Sequence, residues 1–182
     1  MGRQSRAKKS AETPVRLDLA CGQTPREGFI GVDLYAPDAQ KVDLLKFPWP
    51  WAAESVEEAW CSHFFEHVPG RLRGQWMDEL WRVLKVGATA TILVPYYASM
   101  RAVQDFTHEW PPVAESSFLY FNRAWRVANK LDHYPVSCDF DFTFGYVMSA
   151  DWAVRAEEAR AGAIRLYQNV VNDLQVVLTK RP

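Results

Sequence analysis

The segment HFFEH, residues 63–67, has the H-x-x-E-H spacing that some zinc peptidases use for two metal ligands and a catalytic glutamate. That chemistry needs a continuous helix, because the helix brings both histidines to one face. Pro69 would remove a hydrogen bond from such a helix and clash with its preceding turn. We therefore predict a turn here and no bound metal, and we keep a zinc hydrolase as the third alternative for function. Its residues would be His63, Glu66 and His67.

Two histidines are candidates for proton transfer. Imidazole titrates near neutral pH, so His67 and His108 are suited to act as general bases. Asp105 precedes His108 by three residues and is a candidate orienting or accepting carboxylate. A structural alternative stays open for His67, which could instead bond to the backbone and fix the turn before Pro69.

Acidic and small residues follow the first predicted strands, which cover residues 15–20, 29–34, 42–45 and 56–62. In an open parallel sheet, ligands bind beyond the carboxyl ends of the strands. A carboxylate at Asp33, after the second strand, is suited to accept hydrogen bonds from both ribose hydroxyls. Asp43 could accept from an adenine amino group, while Leu44 covers the ring.

The remaining elements indicate an α/β protein. Apolar residues recur at helical spacing from Leu72 to Leu84, and further helices are predicted at 113–130 and 151–167. Three more strands are predicted at 88–94, 138–148 and 174–178, which makes a mostly parallel sheet of seven strands with helices on both faces. Only about eight residues join the first two strands, so either their crossover helix is nearly absent or they form a hairpin.

Five motifs occur in an order that resembles a known family. They are DLACG (18–22), GVDL (31–34), DL (43–44), SHFFEHV (62–68) and ELWRVLKVG (79–87). Together they resemble the class I S-adenosylmethionine-dependent methyltransferases, and most closely the small type 11 branch with its abbreviated first crossover. The resemblance covers residues 15–97 and implies a Rossmann-like three-layer sandwich whose last strand is antiparallel.

The resemblance also implies a cofactor site for S-adenosylmethionine. The motif DLACG would line the methionine part of the cofactor, GVDL would hold the ribose, and DL would contact the adenine. The segment after the fourth strand, residues 63–67, would face the sulfonium. The cofactor-binding residues would be Asp18, Ala20, Cys21, Gly22, Asp33, Leu34, Asp43, Leu44, Ser62, His63 and Phe64. The sequence departs from the family pattern at Ala20, Gln23 and Val86.

Methyl transfer to an oxygen or nitrogen atom, on a small molecule, is the activity that the resemblance implies. His67, Asp105 and His108 would be the catalytic residues. The motif of amino-directed DNA methyltransferases is missing at 62–65, so nucleic acid is not the favoured substrate. Aromatic residues could flank a planar or apolar acceptor: Trp49, Trp51, Tyr96, Tyr97 and Trp110. A non-catalytic module that senses the cofactor is the second alternative.

Charge is distributed unevenly along the 182 residues. Four of the 21 Lys and Arg residues lie in the first eleven positions, which leaves 17 against 22 Asp and Glu in the rest. We predict a flexible basic tail at residues 1–13 and a single methyltransferase-like domain at 14–182, whose acidity disfavours phosphate backbones. Three scattered cysteines indicate a cytoplasmic protein, and no apolar run is long enough to span a membrane.

Overall fold

The computed structural model describes residues 14–182, so the predicted basic tail lies outside the described residues. One sheet of six strands organises this part of the chain, in the spatial order β2-β1-β3-β4-β6-β5. The strands are β1 Arg16–Leu19, β2 Ile30–Val32, β3 Val56–Ser62, β4 Leu84–Pro95, β5 Phe140–Met148 and β6 Val171–Lys180. The helices are α1 Gly70–Val83, α2 Arg101–Gln104, α3 Arg123–Ala128, α4 Ala150–Ala153 and α5 Glu157–Leu166.

Strand directions agree with the sequence-based prediction. β2, β1, β3 and β4 pair in parallel, while β6 is antiparallel to both of its neighbours. Helix α1 connects the parallel strands β3 and β4, as expected for an α/β fold. The mostly parallel Rossmann-like sheet with an antiparallel last strand is therefore confirmed.

The predicted strand at 42–45 does not form, so the sheet has six strands and not seven. Asp43 begins a turn there, because its Oδ1 accepts a hydrogen bond of 3.0 Å from the Leu45 N–H and its carbonyl accepts from the Lys46 N–H. Such local side-chain bonds compete with sheet pairing. An isolated parallel bridge between Val32 and Gln40 is the only ladder contact on that edge of β2 within the described residues.

The connection between β1 and β2 contains no helix. The two strands are parallel, so the hairpin alternative is wrong and the crossover helix is absent. The loop packs tightly: a Cβ on Gly31 would lie 2.9 Å from Pro25 Cβ and 3.0 Å from Cys21 Sγ. Glycine is therefore required at position 31 for this short loop to lie against β2.

Aromatic side chains form much of the core. Trp76 of α1 is fully buried, and its ring lies 5.4 Å from that of Trp49 and 5.2 Å from that of Phe65. Phe65 in turn lies 6.0 Å from Phe118, so the loop before α1 and the chain after β4 share one cluster. This cluster continues into the buried face of the sheet, with Leu17 among its members.

Two predicted helices are interrupted. The segment 113–130 forms a 3₁₀ helix at Glu115–Phe121 and then α3, which begins after Asn122 because that side chain accepts a hydrogen bond of 2.9 Å from the Trp125 N–H. The segment 151–167 divides into α4 and α5. Within residues 14–182, no helix is both long and apolar enough to cross a membrane.

Candidate functional site

A cavity of about 300 Å³ lies at the carboxyl ends of β1 and β2. Six of the predicted cofactor residues line it: Ala20, Asp33, Leu34, Asp43, Leu44 and Phe64. Three residues that the sequence analysis did not select complete the wall: Tyr35, Val42 and Leu45. The cavity thus combines two carboxylates with mostly apolar walls, which is the chemistry expected of a pocket for a nucleoside.

Asp33 is held in place by the backbone. Its Oδ1 accepts hydrogen bonds from the N–H groups of Tyr35 (2.7 Å) and Ala36 (2.8 Å), and its Oδ2 accepts from Gly22 (3.1 Å). Burial acts to raise the pKa of this carboxyl, but the three N–H donors and the charge of Lys41 outweigh it and lower the pKa. Three of about four lone-pair sites are filled, so Oδ2 retains room for one more donor.

Asp43 lies across the same cavity and is also ionised at neutral pH. The N–H of Leu45 donates to its Oδ1, and Lys46 Nζ lies 3.2 Å from its Oδ2. The hydrogen bond from Leu45, with a smaller contribution from Lys46, lowers the pKa of the carboxyl. Leu44, which is 4% exposed, presents an apolar side chain beside it.

The other predicted cofactor residues do not line this cavity. Asp18 is buried, and burial raises its pKa although Arg26 donates its backbone N–H to Oδ2 at 2.8 Å. The thiol of Cys21 packs against Gly31, and burial raises the pKa of that thiol. Asp18 and Cys21 therefore shape the loop after β1. Gly22 contacts the cavity indirectly, because its backbone N–H donates a hydrogen bond to Asp33. Ser62 ends β3 and does not line this cavity.

Two residues at strand ends have unusual backbone angles. Ala20 after β1 has φ of 56° and His63 after β3 has φ of 54°. The left-handed region costs a residue with a Cβ about 1–2 kcal/mol. Strain of this kind is concentrated at functional sites, where surrounding structure enforces it.

A second cavity, of about 270 Å³, gathers the predicted catalytic residues. Its walls are His63, Glu66, His67, Pro95, Arg101, Gln104, Asp105 and His108. Because His63 lines this cavity and the next residue, Phe64, lines the first, the segment after β3 separates the two. Arg101 and Gln104 belong to the short helix α2 and were not predicted, because no motif or periodicity distinguishes them in the sequence.

The hydrogen-bond network assigns the tautomer of His67. Its Nδ1 lies 3.2 Å from the carbonyl oxygen of Thr107 and 3.1 Å from the Thr107 hydroxyl. That hydroxyl donates its proton to Asp105 Oδ1 at 2.7 Å, so it is not available to donate to the ring. Nδ1 of His67 must therefore carry the hydrogen, which leaves Nε2 as the basic atom in the neutral ring.

His108 is oriented in the same way. Its Nδ1 lies 3.2 Å from the carbonyl oxygen of Ala102, which can only accept, so Nδ1 carries the hydrogen. The side chain is 11% exposed, and its Nε2 lies 3.8 Å from Asp105 Oδ2. The rings of His67 and His108 meet edge to face with centroids 4.8 Å apart. The pKa of Asp105 is lowered by its hydrogen bonds from Thr107.

No family model matches this sequence, and no curated protein sequence matches it. Solved structures do resemble the fold of this chain. A methyltransferase dependent on S-adenosylmethionine from Archaeoglobus fulgidus superposes with a TM-score of 0.62, at 15% identity over 93% of this chain and 87% of that chain. Another S-adenosylmethionine-dependent methyltransferase, from Mesorhizobium loti, superposes with a TM-score of 0.53, at 15% identity over 92% of this chain and 91% of that chain. The chain has the fold of S-adenosylmethionine-dependent methyltransferases.

A third structure with this fold was solved with ligands. Geranyl diphosphate C-methyltransferase from Streptomyces coelicolor, in complex with Mg²⁺, geranyl diphosphate and S-adenosyl-L-homocysteine, superposes with a TM-score of 0.54 at 13% identity, over 92% of this chain and 71% of that chain. At identities this low, the likeness concerns the methyltransferase fold. The roles of individual residues must be argued from the two cavities themselves.

Arg73 fixes the loop that carries His108 within this methyltransferase fold. The guanidinium is buried and donates to four carbonyls, of which those of Val68 and Glu66 precede α1. The other two belong to the loop after β4, at Glu109 (3.0 Å) and Pro111 (2.5 Å). One side chain therefore ties both histidine-bearing segments together.

The predicted acceptor-flanking aromatics divide into two groups. Trp49 and Tyr96 are buried core residues, at 3% exposed each, and Trp51 is partly buried against the same core. Trp110 is 79% exposed and Tyr97 is 49% exposed, and both line a groove of about 630 Å³ beside the loop of residues 110–117. Only this second group is positioned to contact a molecule from solution.

Proposed function

We propose that this protein is an S-adenosylmethionine-dependent methyltransferase that acts on an oxygen or nitrogen atom of a small molecule. One observation carries the proposal. A cavity with nucleoside-binding chemistry and a cavity with two oriented imidazoles are lined by the consecutive residues His63 and Phe64. A donor in the first cavity and an acceptor in the second would meet at this segment.

The first cavity is suited to the adenosine part of the cofactor. Asp33 would accept a ribose hydroxyl at the remaining lone pair of Oδ2, and one such bond, not the two expected from the sequence, fits without displacing a backbone N–H. Asp43 would accept from the adenine amino group, and Leu44 and Phe64 would cover the ring. Further cofactor contacts are proposed for Asp18, Ala20, Cys21, Gly22, Leu34, Ser62 and His63.

The second cavity is suited to an acceptor that must lose a proton. S-adenosylmethionine, when bound, supplies an electrophilic methyl group on a sulfonium. His67 and His108 each present a basic Nε2, and either can remove the acceptor proton. Asp105 would stabilise the imidazolium of His108, because its Oδ2 lies 3.8 Å from Nε2.

A small-molecule acceptor is favoured over nucleic acid. The exposed Trp110 and Tyr97 line an apolar groove of the size that organic ligands occupy. The acidic charge balance of the chain beyond its first eleven residues would repel a phosphate backbone. We further propose that residues 14–182 act as one domain, in the cytoplasm.

Calorimetric titration with S-adenosylhomocysteine tests cofactor binding. We expect saturable binding to the wild-type protein and affinity about 10–100-fold lower for Asp33→Ala, because a hydrogen bond to a charged group contributes about 1.5–3 kcal/mol. Asp38→Ala is the matched control, since Asp38 is exposed in the same loop and lines neither cavity. No binding by the wild-type protein at millimolar ligand would exclude the proposal.

Turnover separates an enzyme from a cofactor sensor. Methyl transfer from labelled S-adenosylmethionine would be measured with a panel of phenol, carboxylate and amine acceptors. We expect His67→Ala or His108→Ala to lower kcat at least 100-fold while the affinity for S-adenosylhomocysteine is kept. Cofactor binding without transfer to any acceptor class would instead favour the non-catalytic sensor.

A further inference from the structure

The carboxylate of Glu66 has no hydrogen-bond donor. The residue is 5% exposed and lines the second cavity, and neither of its oxygens accepts a hydrogen bond from any described residue. Oε1 lies 3.3 Å from His63 Nδ1 and forms an ion pair with that ring when it is protonated, whereas Oε2 has no partner among the described residues. Oxygens of buried carboxylates are normally paired, hydrogen-bonded or bound to a metal, so Oε2 of Glu66 still lacks a partner.

The two neighbouring imidazoles have the orientation of metal ligands. In both His67 and His108, Nδ1–H points to a backbone carbonyl oxygen, at 3.2 Å in each case. Histidines that bind metals almost always donate their second ring N–H to a carbonyl or carboxylate in this way, which fixes the ring and its tautomer. Each ring therefore has one unprotonated nitrogen, Nε2, free to coordinate.

We propose that Glu66, His67 and His108 bind one divalent first-row transition cation. One ligand atom from each of the three lies within 4.8 Å of the other two. In a tetrahedral site with bonds of about 2.0–2.1 Å, ligand atoms lie about 3.4 Å apart, so side-chain movements of about 1 Å would complete the site. The cation would supply the missing partner of Glu66.

The donor set defines the class of cation. Two imidazoles and one carboxylate suit Zn²⁺, Fe²⁺ or Co²⁺, whereas Mg²⁺ and Ca²⁺ prefer oxygen ligands alone. Three protein ligands leave a position for water or for a heteroatom of a substrate. Asp105, whose Oδ2 lies 3.8 Å from His108 Nε2, would lie next to the bound cation.

This site differs from the one that the H-x-x-E-H spacing suggests. His63 faces Glu66 through Nδ1 and is not a ligand, while His108 reaches the site from the loop after β4. Cation binding can also be measured without S-adenosylmethionine, so the inference does not rest on the proposed function. With a cation bound, the Nε2 atoms would be coordinated, and the cation would ease loss of the acceptor proton by lowering the pKa of a coordinated heteroatom, in place of removal by a free imidazole.

Titration with Co²⁺ tests the site, because coordination by nitrogen and oxygen ligands gives a visible absorption spectrum. Tag-free protein, treated with a chelator, would be titrated with Co²⁺ and then with competing Zn²⁺. We expect one equivalent to bind, and affinity at least tenfold lower for His67→Ala and for His108→Ala. His133→Ala is the matched control, since His133 is exposed and lines neither cavity. Its affinity should equal that of the wild-type protein.

Two further variants keep the test independent of folding. Glu66→Gln removes a buried charge, so it should unfold at the same or a higher temperature in metal-free buffer and yet bind Co²⁺ at least tenfold more weakly. Asp38→Ala, at an exposed position that lines neither cavity, should keep the wild-type affinity within about threefold. The inference is overturned if the wild-type protein binds no stoichiometric Co²⁺, or if the ligand variants bind as well as His133→Ala. Stoichiometric binding of Co²⁺ without binding of S-adenosylhomocysteine would refute only the proposed function.

Discussion

The backbone N–H of Gly22 donates a hydrogen bond of 3.1 Å to Oδ2 of Asp33. This bond joins the loop after β1 to the end of β2, where the crossover helix is absent. Two more N–H groups, of Tyr35 and Ala36, hold the other oxygen. The carboxylate that we assign to the ribose is thus oriented before any ligand arrives, which reduces the ordering cost of binding.

Asp33→Asn should lower the free energy of unfolding by about 1–2 kcal/mol at pH 7, because an amide offers one acceptor oxygen and turns an N–H group toward existing donors. The folded-state pKa of Asp33 is lowered, so its contribution is present above the unfolded pKa of about 3.9. That contribution is lost as pH falls through the folded-state pKa. Urea denaturation should therefore show the gap between variant and wild type closing as pH falls below about 4. A gap that persists under acid would contradict this, and Asp38→Asn should show none.

The sequence predicted the ends of the first two strands because alternating or continuous apolar residues stop there at an acid or a glycine. Asp33 could be found for that reason. The pair of His67 and His108 could not be derived as a contact, since the polar loop of residues 105–112 has no periodicity that fixes its path. Its position depends on Arg73, whose four backbone acceptors are visible only in the folded chain.

Element types were predictable where packing and local bonds agree. α1 has one apolar face and begins after Pro69, close to its prediction. At 42–45 the pattern favours a strand, but the side chain of Asp43 captures the Leu45 N–H and the chain turns. At Asn122 a cap divides a predicted helix in two. Both errors have one cause, a short polar side chain that accepts a hydrogen bond from a backbone N–H two or three residues later.

Arg73→Lys should weaken the link between α1 and the loop of His108. An ammonium has three donors and no planar fork, so some of the four carbonyls lose their partner. We expect a loss of about 2–3 kcal/mol in urea denaturation and a lower kcat, with unchanged affinity for S-adenosylhomocysteine. Arg71→Lys, at an exposed position of the same helix, should change neither quantity. Equal effects at both positions would contradict the positioning role of Arg73.

Glu79→Gln should release the loop that carries Trp49 and Trp51. Oε1 accepts from the Trp49 N–H at 2.5 Å and both carboxylate oxygens accept from Arg82, which also donates to the two tryptophan carbonyls. Burial acts to raise the pKa of Glu79, but the bonds from Arg82 and Trp49 outweigh it and lower the pKa. We expect a loss of about 2 kcal/mol at pH 7 in urea denaturation. Glu57→Gln, at an exposed ion pair with Lys85, should lose less than about 0.5 kcal/mol.

Ala20→Gly should relieve backbone strain at the cavity beside β1 and β2. With φ of 56°, Ala20 occupies a region that glycine adopts freely, so the substitution should remove about 1–2 kcal/mol of strain from the folded state. Glycine also increases the entropy of the unfolded chain, which should cost about 0.4–1 kcal/mol of stability. Thermal denaturation should show equal or higher stability, by up to about 1.6 kcal/mol. Gly28→Ala provides the reverse control in the same loop, because its φ is +79° and no atom lies within 4 Å of the new Cβ. It should lose about 1 kcal/mol or more, and its affinity for S-adenosylhomocysteine should not change. A loss of stability in Ala20→Gly similar to that in Gly28→Ala would contradict the prediction. It would mean that packing of the Ala20 Cβ stabilises the fold by more than the backbone strain at Ala20 destabilises it.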